Sequence, residues 1–301
     1  MKILVTGGTV FVSKFTAIYF AKKGHDVFVL NRGTREQADG VTLIKADRHN
    51  LGNCLKIYHF DAVLDICAYD ENDVQDLLNA LGSYDDYILI SSSAVYPETI
   101  QQPFRENQTV GENSIWGSYG TNKIAAENCL LKNNPNSYIL RPPYLYGPMQ
   151  NLYREPFIFD CAEAGRKIYI PKDGKMKLHF FHVEDMCKII EIILLTHPQY
   201  HILNVGNEDA VDINCFAELC YEAVGKKAEK VYVPAKFNQR DYFSFHDYSY
   251  VLDVSLMKKL LPVQKNLLDG LKESYVWYKE HRNEVGKKPF LQFIDDNLTD
   301  I

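Results

Sequence analysis

Residues 1–15 read MKILVTGGTVFVSKF: an apolar run, a pair of glycines, then a helical pattern. KILVTG (2–7) has the look of a buried strand, and residues 12–23 of a helix closed by Gly24. A strand running through a glycine turn into a helix is where the pyrophosphate of a dinucleotide is held. The first glycine permits the tight turn, the second lets the phosphates approach the backbone, and the third lets the helix pack against the strand. The helix start then offers free N–H groups and a positive dipole end. Here Gly7 keeps the first role, while Val10 and Ser13 stand where the other two glycines are expected. The turn alone leaves two readings open. Either Gly7, Thr9, Val10, Phe11 and Val12 line a cofactor site, or the turn merely packs.

Working outward, apolar runs alternate with helical patterns. DVFVLN (26–31), VTLIKAD (41–47), DAVLDIC (61–67), DDYILISSS (85–93) and SYILRP (137–142) follow as strands. Helices are expected at 73–81 and 118–132. Continuous β-branched runs alternating with helices imply an α/β fold, a doubly wound parallel sheet covered on both faces. Its ligand site belongs beyond the carboxyl ends of the strands. After residue 150 the pattern loosens. Helix 155–165, IYIP (168–171), HFFHVEDM (179–186), ILNVG (202–206), helix 214–224, KVYVP (230–234) and helices near 255–261 and 266–281 suggest a smaller C-terminal substrate lobe. The division expected is 1–150 for the dinucleotide-binding domain, with segments at about 175–206 returning to it, and 151–174 plus 207–301 for the lobe. PFLQFIDDNLTDI, at the end, reads as a loosely held tail.

Composition narrows the class. Of 301 residues, 46% are apolar and 24% charged, as in a globular protein with a solvated surface. The net charge of −6 argues against a dominant nucleic-acid footprint. No apolar run approaches the ~18 residues of a membrane span. MKILVTGG turns at once into glycines instead of presenting a basic segment and a cleavable apolar stretch, so a cytoplasmic location is expected. The seven cysteines are scattered without a Cys-x-x-Cys pair and read as buried thiols.

Beyond the second strand, Asn31-Arg32 stands where an acidic residue would bind the ribose hydroxyls of NAD. With Arg35 nearby, this leaves room for a 2′-phosphate and leans towards NADP, although two solvated arginines would look the same. Asp47-Arg48, after the third strand, is placed to reach an adenine edge. Tyr-x-x-x-Lys occurs four times, at Tyr19/Lys23, Tyr119/Lys123, Tyr232/Lys236 and Tyr275/Lys279, so spacing selects nothing. Context favours Tyr119 and Lys123: their helix follows a strand ending Ser91-Ser92-Ser93, and one turn brings both to the same face. A phenol with a pKa of ~10 is a poor base, and a neighbouring ammonium favours its phenolate. Tyr119 would move a proton to or from a substrate hydroxyl, with Ser92 holding the substrate oxygen.

VTGGTVF, ISSSAVYP, YGTNK, LRPPYLYGP, FFHVEDM and LNVGN fall in order over residues 1–206. Together they resemble the extended short-chain dehydrogenase/reductase superfamily, the NAD-dependent epimerase/dehydratases, with a Rossmann-like fold. The resemblance implies Ser92, Tyr119 and Lys123 as the catalytic set. It also implies Cys67, Ala68 and Tyr69 at the cofactor-lining end of the fourth strand, and Pro142 near a nicotinamide. Ser93, Tyr144 and His246 fall on the substrate side. Val10, Ser13, the short segment after the fourth strand, Tyr144 where an asparagine is frequent, and a late segment FSFHDYSYVLDVS without the usual arginine all depart from the pattern. The last features are similar to an atypical subgroup that includes the chloroplast stem-loop RNA-binding proteins, in which the tyrosine–lysine pair is often lost.

Three functions follow. The leading one is an NAD(P)-dependent epimerase, dehydratase or reductase acting on a sugar-like or nucleotide-linked alcohol, an oxidoreductase or isomerase of nucleotide-sugar metabolism. The others are an RNA-binding protein on a redox fold and a non-catalytic NADP-sensing regulator. His179 and His182 flank Glu184 and Asp185, but a strand followed by a helix cap explains them better than a metal site. The aromatic run RDYFSFHDYSY (240–250) would stack a base or form a core edge. The apolar stripe Ala125, Ala126, Cys129 and Leu130 would pair two copies in a homodimer or pack within one chain.

Overall fold

The computed structural model describes residues 1–299. Seven strands form the central sheet: β1 (Lys2–Thr6), β2 (Asp26–Asn31), β3 (Val41–Lys45), β4 (His59–Asp65), β5 (Ser83–Ile90), β6 (Tyr138–Arg141) and, after four short strands outside this sheet, β11 (Ile202–Asn204). All neighbours pair in parallel, in the order β11-β6-β5-β4-β1-β2-β3. The chain winds outward from β1 to β3, then crosses back to β4 on the other side of β1. The strand order therefore reverses between β1 and β4, and a crevice opens at their carboxyl ends.

The sheet is buried on both faces, which is why its strands read as continuous apolar runs. Ile3, Val5, Val27, Val29, Leu64 and Ile88 point into one core with Ala17 and Phe20. Leu4, Phe28, Leu30, Val63 and Leu89 alternate onto the other, with Val74, Leu77, Ala126 and Leu130. These last four belong to α2 (Glu71–Ala80) and α3 (Ser118–Asn133), which pack together on that face. Helix α1 (Phe11–Lys22) covers the opposite face beside α5 (Val183–Thr196). The stripe proposed for dimerisation is thus largely used within the chain: Ala126, Cys129 and Leu130 are buried.

The remaining elements sit beyond the crevice. Strand β7 (Tyr144–Tyr146) pairs in parallel with β10 (Phe180–His182), β8 (Ile168–Pro171) with β13 (Lys230–Val233), and β9 (Lys177–Leu178) runs antiparallel to β12 (Val211–Asp212). Around them lie α4 (Glu155–Glu163), α6 (Ile213–Ala223), α7 (Gln239–Tyr242), α8 (Ser255–Leu260) and α9 (Leu267–Glu280). HFFHVEDM divides where expected: His182 ends the strand and its Nδ1 accepts the Glu184 N–H, capping α5.

The expected loose tail is a correction. Residues Phe290–Asn297 form α10, which packs against α7. Phe290 lies against Phe157 at 5.1 Å and stacks on Tyr153 at 6.1 Å, and Ile294 one turn later is also buried. Two apolar residues four apart give one sticky face, enough to dock a short helix. Asp300 and Ile301 lie outside the described residues.

Candidate active site

The glycine turn shows how the chain accommodates its two departures. Gly7 and Gly8 have φ of +88° and +89°, a region that favours glycine. A Cβ on Gly7 would lie 2.6 Å from Cys67 Sγ and 2.8 Å from Ser13 Oγ; one on Gly8 would strike Val29. The bare Gly7 therefore makes the room that Ser13 occupies, and Ser13 folds its hydroxyl back to donate to Val10 O at 2.9 Å. Val10 is the extended N-cap of α1 and offers no side-chain acceptor. The first N–H groups of α1 thus have no side-chain cap, and Val10, Phe11 and Val12 line the cleft at the strand ends.

Asn31 braces this turn: its Nδ2 donates to Gly7 O at 2.7 Å, and its Oδ1 accepts the Gly33 N–H at 2.8 Å. Arg32 and Arg35 are exposed next to it, and Thr9 is half-buried within the turn. Asp47 is exposed and accepts the His49 N–H. Arg48 departs from the expectation. It is turned inward, forking onto the fully buried Asp65 at 2.8 and 2.6 Å and reaching the Asp73 carboxylate at 3.1 Å. Tyr87 and Thr6 donate to the same Asp65. Burial alone would raise the Asp65 carboxyl, but Arg48 and these hydroxyls hold it below its ordinary range. A fixed guanidinium with two carboxylates braces the underside of the site instead of reading an adenine.

A cleft of about 390 Å³ runs from the turn across the strand ends. Val10, Phe11, Val12, Cys67, Tyr69, Ser92, Tyr119, Lys123, Pro142 and Arg154 all line it. Gly120 explains the approach of α3: a Cβ there would meet Ala94 O at 2.4 Å, so only glycine lets the helix start lie against the Ser92 turn. Lys123 is buried and its Nζ donates to Ala68 O at 2.7 Å and Ile90 O at 3.0 Å, tying α3 to the ends of β4 and β5. One of its three donors is left. The Lys123 ammonium stands 5.3 Å from the Tyr69 ring centre and 5.9 Å from that of Tyr119. Tyr119 is 39% exposed, open to a ligand. Ser92 Oγ accepts the Ala94 N–H at 3.1 Å, which leaves its own proton to donate. Burial pushes the Cys67 thiol up, so it stays a neutral lining group.

The other tyrosine–lysine pairs do not line this cleft. Tyr19 and Lys23, for example, are both bound to Glu191 at the surface. Ser93 is buried, its N–H on Pro142 O at 2.9 Å, and does not line the cleft. Tyr144 and His246 line an adjoining cavity of about 250 Å³ together with Trp116, Arg154 and Arg240. Most of the aromatic run is core: Tyr242, Phe243, Phe245 and Tyr250 are buried. His246 stays half-buried, 5.1 Å from the Trp116 ring. The sequence reading missed Arg154 and Arg240. Arg240 opens the aromatic run, and a cation heading so apolar a segment is the signal that could have found it.

Both central histidines have structural work. His179 Nδ1 accepts the Leu252 N–H, so its Nε2 proton goes to Asn207 O at 2.7 Å. Burial pulls His182 down to about 3, leaving it neutral. The Lys265 ammonium bridges the nearby Glu184 and Glu273 at 2.5 and 2.6 Å, supplying the cation a metal would bring.

The profile of the NAD dependent epimerase/dehydratase family matches residues 3–206. The chain belongs to this family. It is similar to the chloroplast stem-loop binding protein of 41 kDa b from Arabidopsis thaliana, 27% identical over 91% of this chain and 78% of the relative. It is also 25% identical to a UDP-N-acetyl-alpha-D-glucosaminuronate decarboxylase from Bacillus cytotoxicus, over 94% of this chain and 99% of that protein. Among solved structures, UDP-glucose 4-epimerase from Thermotoga maritima, crystallised with UDP-glucose, shares the fold with a TM-score of 0.77. At 18% identity it covers 93% of this chain and 99% of its own. Among the described residues no helix is long and apolar enough to cross a membrane.

Proposed function

We propose that this epimerase/dehydratase family member carries out NAD(P)-dependent chemistry at a hydroxyl of a sugar-like substrate. Sugar nucleotides are the first class to try, because the decarboxylase and epimerase relatives act on or bind them. One observation carries the reading: a single cleft joins the uncapped start of α1 to Ser92, Tyr119 and Lys123. Gly7, Val10, Phe11 and Val12 would hold the pyrophosphate, and Cys67 and Pro142 would flank the nicotinamide, which supplies hydride transfer when bound, whereas Ala68 is fully buried and serves through its carbonyl, which accepts from Lys123. Ser92 then donates to the substrate oxygen. Tyr119 takes that hydroxyl's proton, or returns it, with the Lys123 ammonium 5.9 Å from its ring centre. The exposed Arg32, with no acidic residue at the end of β2, supports NADP over NAD as the preferred cofactor.

The test is Tyr119→Phe, assayed by cofactor absorbance with a panel of sugar nucleotides and sugar phosphates. Turnover is expected to vanish while cofactor affinity persists; retained turnover sinks the mechanism. A second reading, RNA binding, rests on the 27% identical stem-loop binding relative. It requires salt-sensitive affinity for a hairpin RNA, and no binding at low salt removes it.

A further inference from the structure

The adjoining cavity holds a charge arrangement that the fold leaves uncompensated. Five arginines of this chain, Arg48, Arg105, Arg141, Arg166 and Arg282, are each paired with a carboxylate. Arg32 and Arg35 lie exposed beside the glycine turn. Arg154 and Arg240 are different. Both are half-buried, both line the 250 Å³ cavity, and neither has a carboxylate within salt-bridge distance among the described residues. Arg154 reaches Leu145 O at 3.4 Å and lies 5.0 Å above the Tyr144 ring, and Arg240 donates to Ser244 O.

No acidic side chain lines this cavity, and Lys288 adds a third cation at its edge. Burial lowers Arg240 first, and the charge of Arg154 lowers it further, against the raising effect of Tyr144. Burial and both arginines lower His246. Two guanidiniums held together in a partly dry cavity without a counter-ion repel each other, and an incoming oxyanion relieves that cost. The buried Glu155 next to Arg154 does not meet the need: neither of its oxygens makes a hydrogen bond, and burial raises it to about 7.

Arg154 also fixes where the anion lies. It lines both the catalytic cleft and this cavity, so a group on it is next to the ligand that Ser92 and Tyr119 face. The far side is walled by Tyr153 and Phe290, which α10 holds in place. At about 250 Å³ the space falls below the roughly 300–1,000 Å³ of sites for drug-sized ligands. It suits one phosphoryl group on a short skeleton and is small for a nucleoside diphosphate.

We propose that the substrate is a compact phosphorylated sugar or polyol, its phosphoryl group clasped between Arg154 and Arg240. This rests on reading the adjoining cleft as the reaction centre, but it is tested by binding and needs no turnover. Cofactor-loaded protein is titrated calorimetrically with inorganic phosphate, glucose 6-phosphate, glucose and UDP-glucose. Glucose 6-phosphate is expected to bind at least tenfold more tightly than glucose and more tightly than UDP-glucose, with inorganic phosphate competing. Arg154→Gln and Arg240→Gln, each made separately in case one fails to fold, are expected to weaken it at least tenfold, and Arg240→Gln, which lies outside the catalytic cleft, to do so with cofactor affinity unchanged. Equal binding of glucose and glucose 6-phosphate, or unchanged affinity in the folded variants, overturns the clasp. Tighter binding of UDP-glucose than of glucose 6-phosphate overturns the compact substrate. Loss of cofactor binding by the parent protein would instead refute the function proposed above.

Discussion

Glu155 offers a quantitative test of the packing around the site. It opens α4 directly after Arg154, is 1% exposed, and neither carboxylate oxygen has a hydrogen-bond partner. Burial raises its pKa from 4.5 to about 7; the nearby backbone N–H groups of Glu155 and Gly147, Arg154 and the Gln150 amide favour the charged form but are outweighed. A carboxyl raised on folding binds its proton more tightly in the native state than in the unfolded chain. Stability from this group is therefore fully present below pH 4.5 and falls as pH rises towards 7. At about 1.4 kcal/mol per pH unit, the interval corresponds to about 3 kcal/mol. Glu155→Gln keeps the shape and removes the ionisation. Urea unfolding of parent and variant at pH 4.5, 5.5, 6.5 and 7.5 isolates the effect as the change in their stability difference. The variant is expected to gain on the parent by about 3 kcal/mol across this range. A stability difference that stays constant with pH refutes the reasoning.

Two further perturbations follow from the braces of the site. Arg48→Met leaves Asp65 buried without its partner, and equilibrium unfolding at neutral pH is expected to show a loss of about 3–5 kcal/mol. Because Asp65 is held below its ordinary range, this part of the stability should disappear from the parent as pH falls through the carboxyl range; a loss that persists in acid contradicts the assignment. Gly7→Ala places a Cβ 2.6 Å from Cys67 Sγ at φ +88°, so thermal unfolding should show a destabilisation of about 1–3 kcal/mol. The same variant should bind cofactor more weakly, and an unchanged melt would show that the turn can relax.

The sheet was legible in the sequence because most of its strands are short apolar runs, bounded by turn residues and separated by helical patterns, as strands covered on both faces must be. Lys123 was legible through context: a helix following a strand that ends in serines must start near the strand's carboxyl edge. What escaped were contacts decided by residues far apart in the chain. Arg48 looked available at a strand end because nothing local reveals that Asp65, seventeen residues on, lies buried beneath it. Ser13 read as a departure from the glycine pattern at a position where a small residue is tolerable, and the missing Cβ of Gly7 is what gives it its place. α10 escaped because its docking surface, Tyr153 and Phe157, lies more than a hundred residues upstream. Arg154 escaped for the same reason, being unremarkable until Arg240 is found facing the same cavity.

The central claim is that the turn at Gly7, with Val10 and Ser13 in place of glycines, still holds a nicotinamide cofactor. Calorimetric titration of the purified protein with NADP and NAD separately, after stripping any cofactor carried through purification, tests it most directly. Micromolar binding of at least one is predicted, with NADP the tighter through Arg32. Absence of binding by both would mean that the uncapped start of α1 is not a phosphate site and that the account of the cleft is wrong.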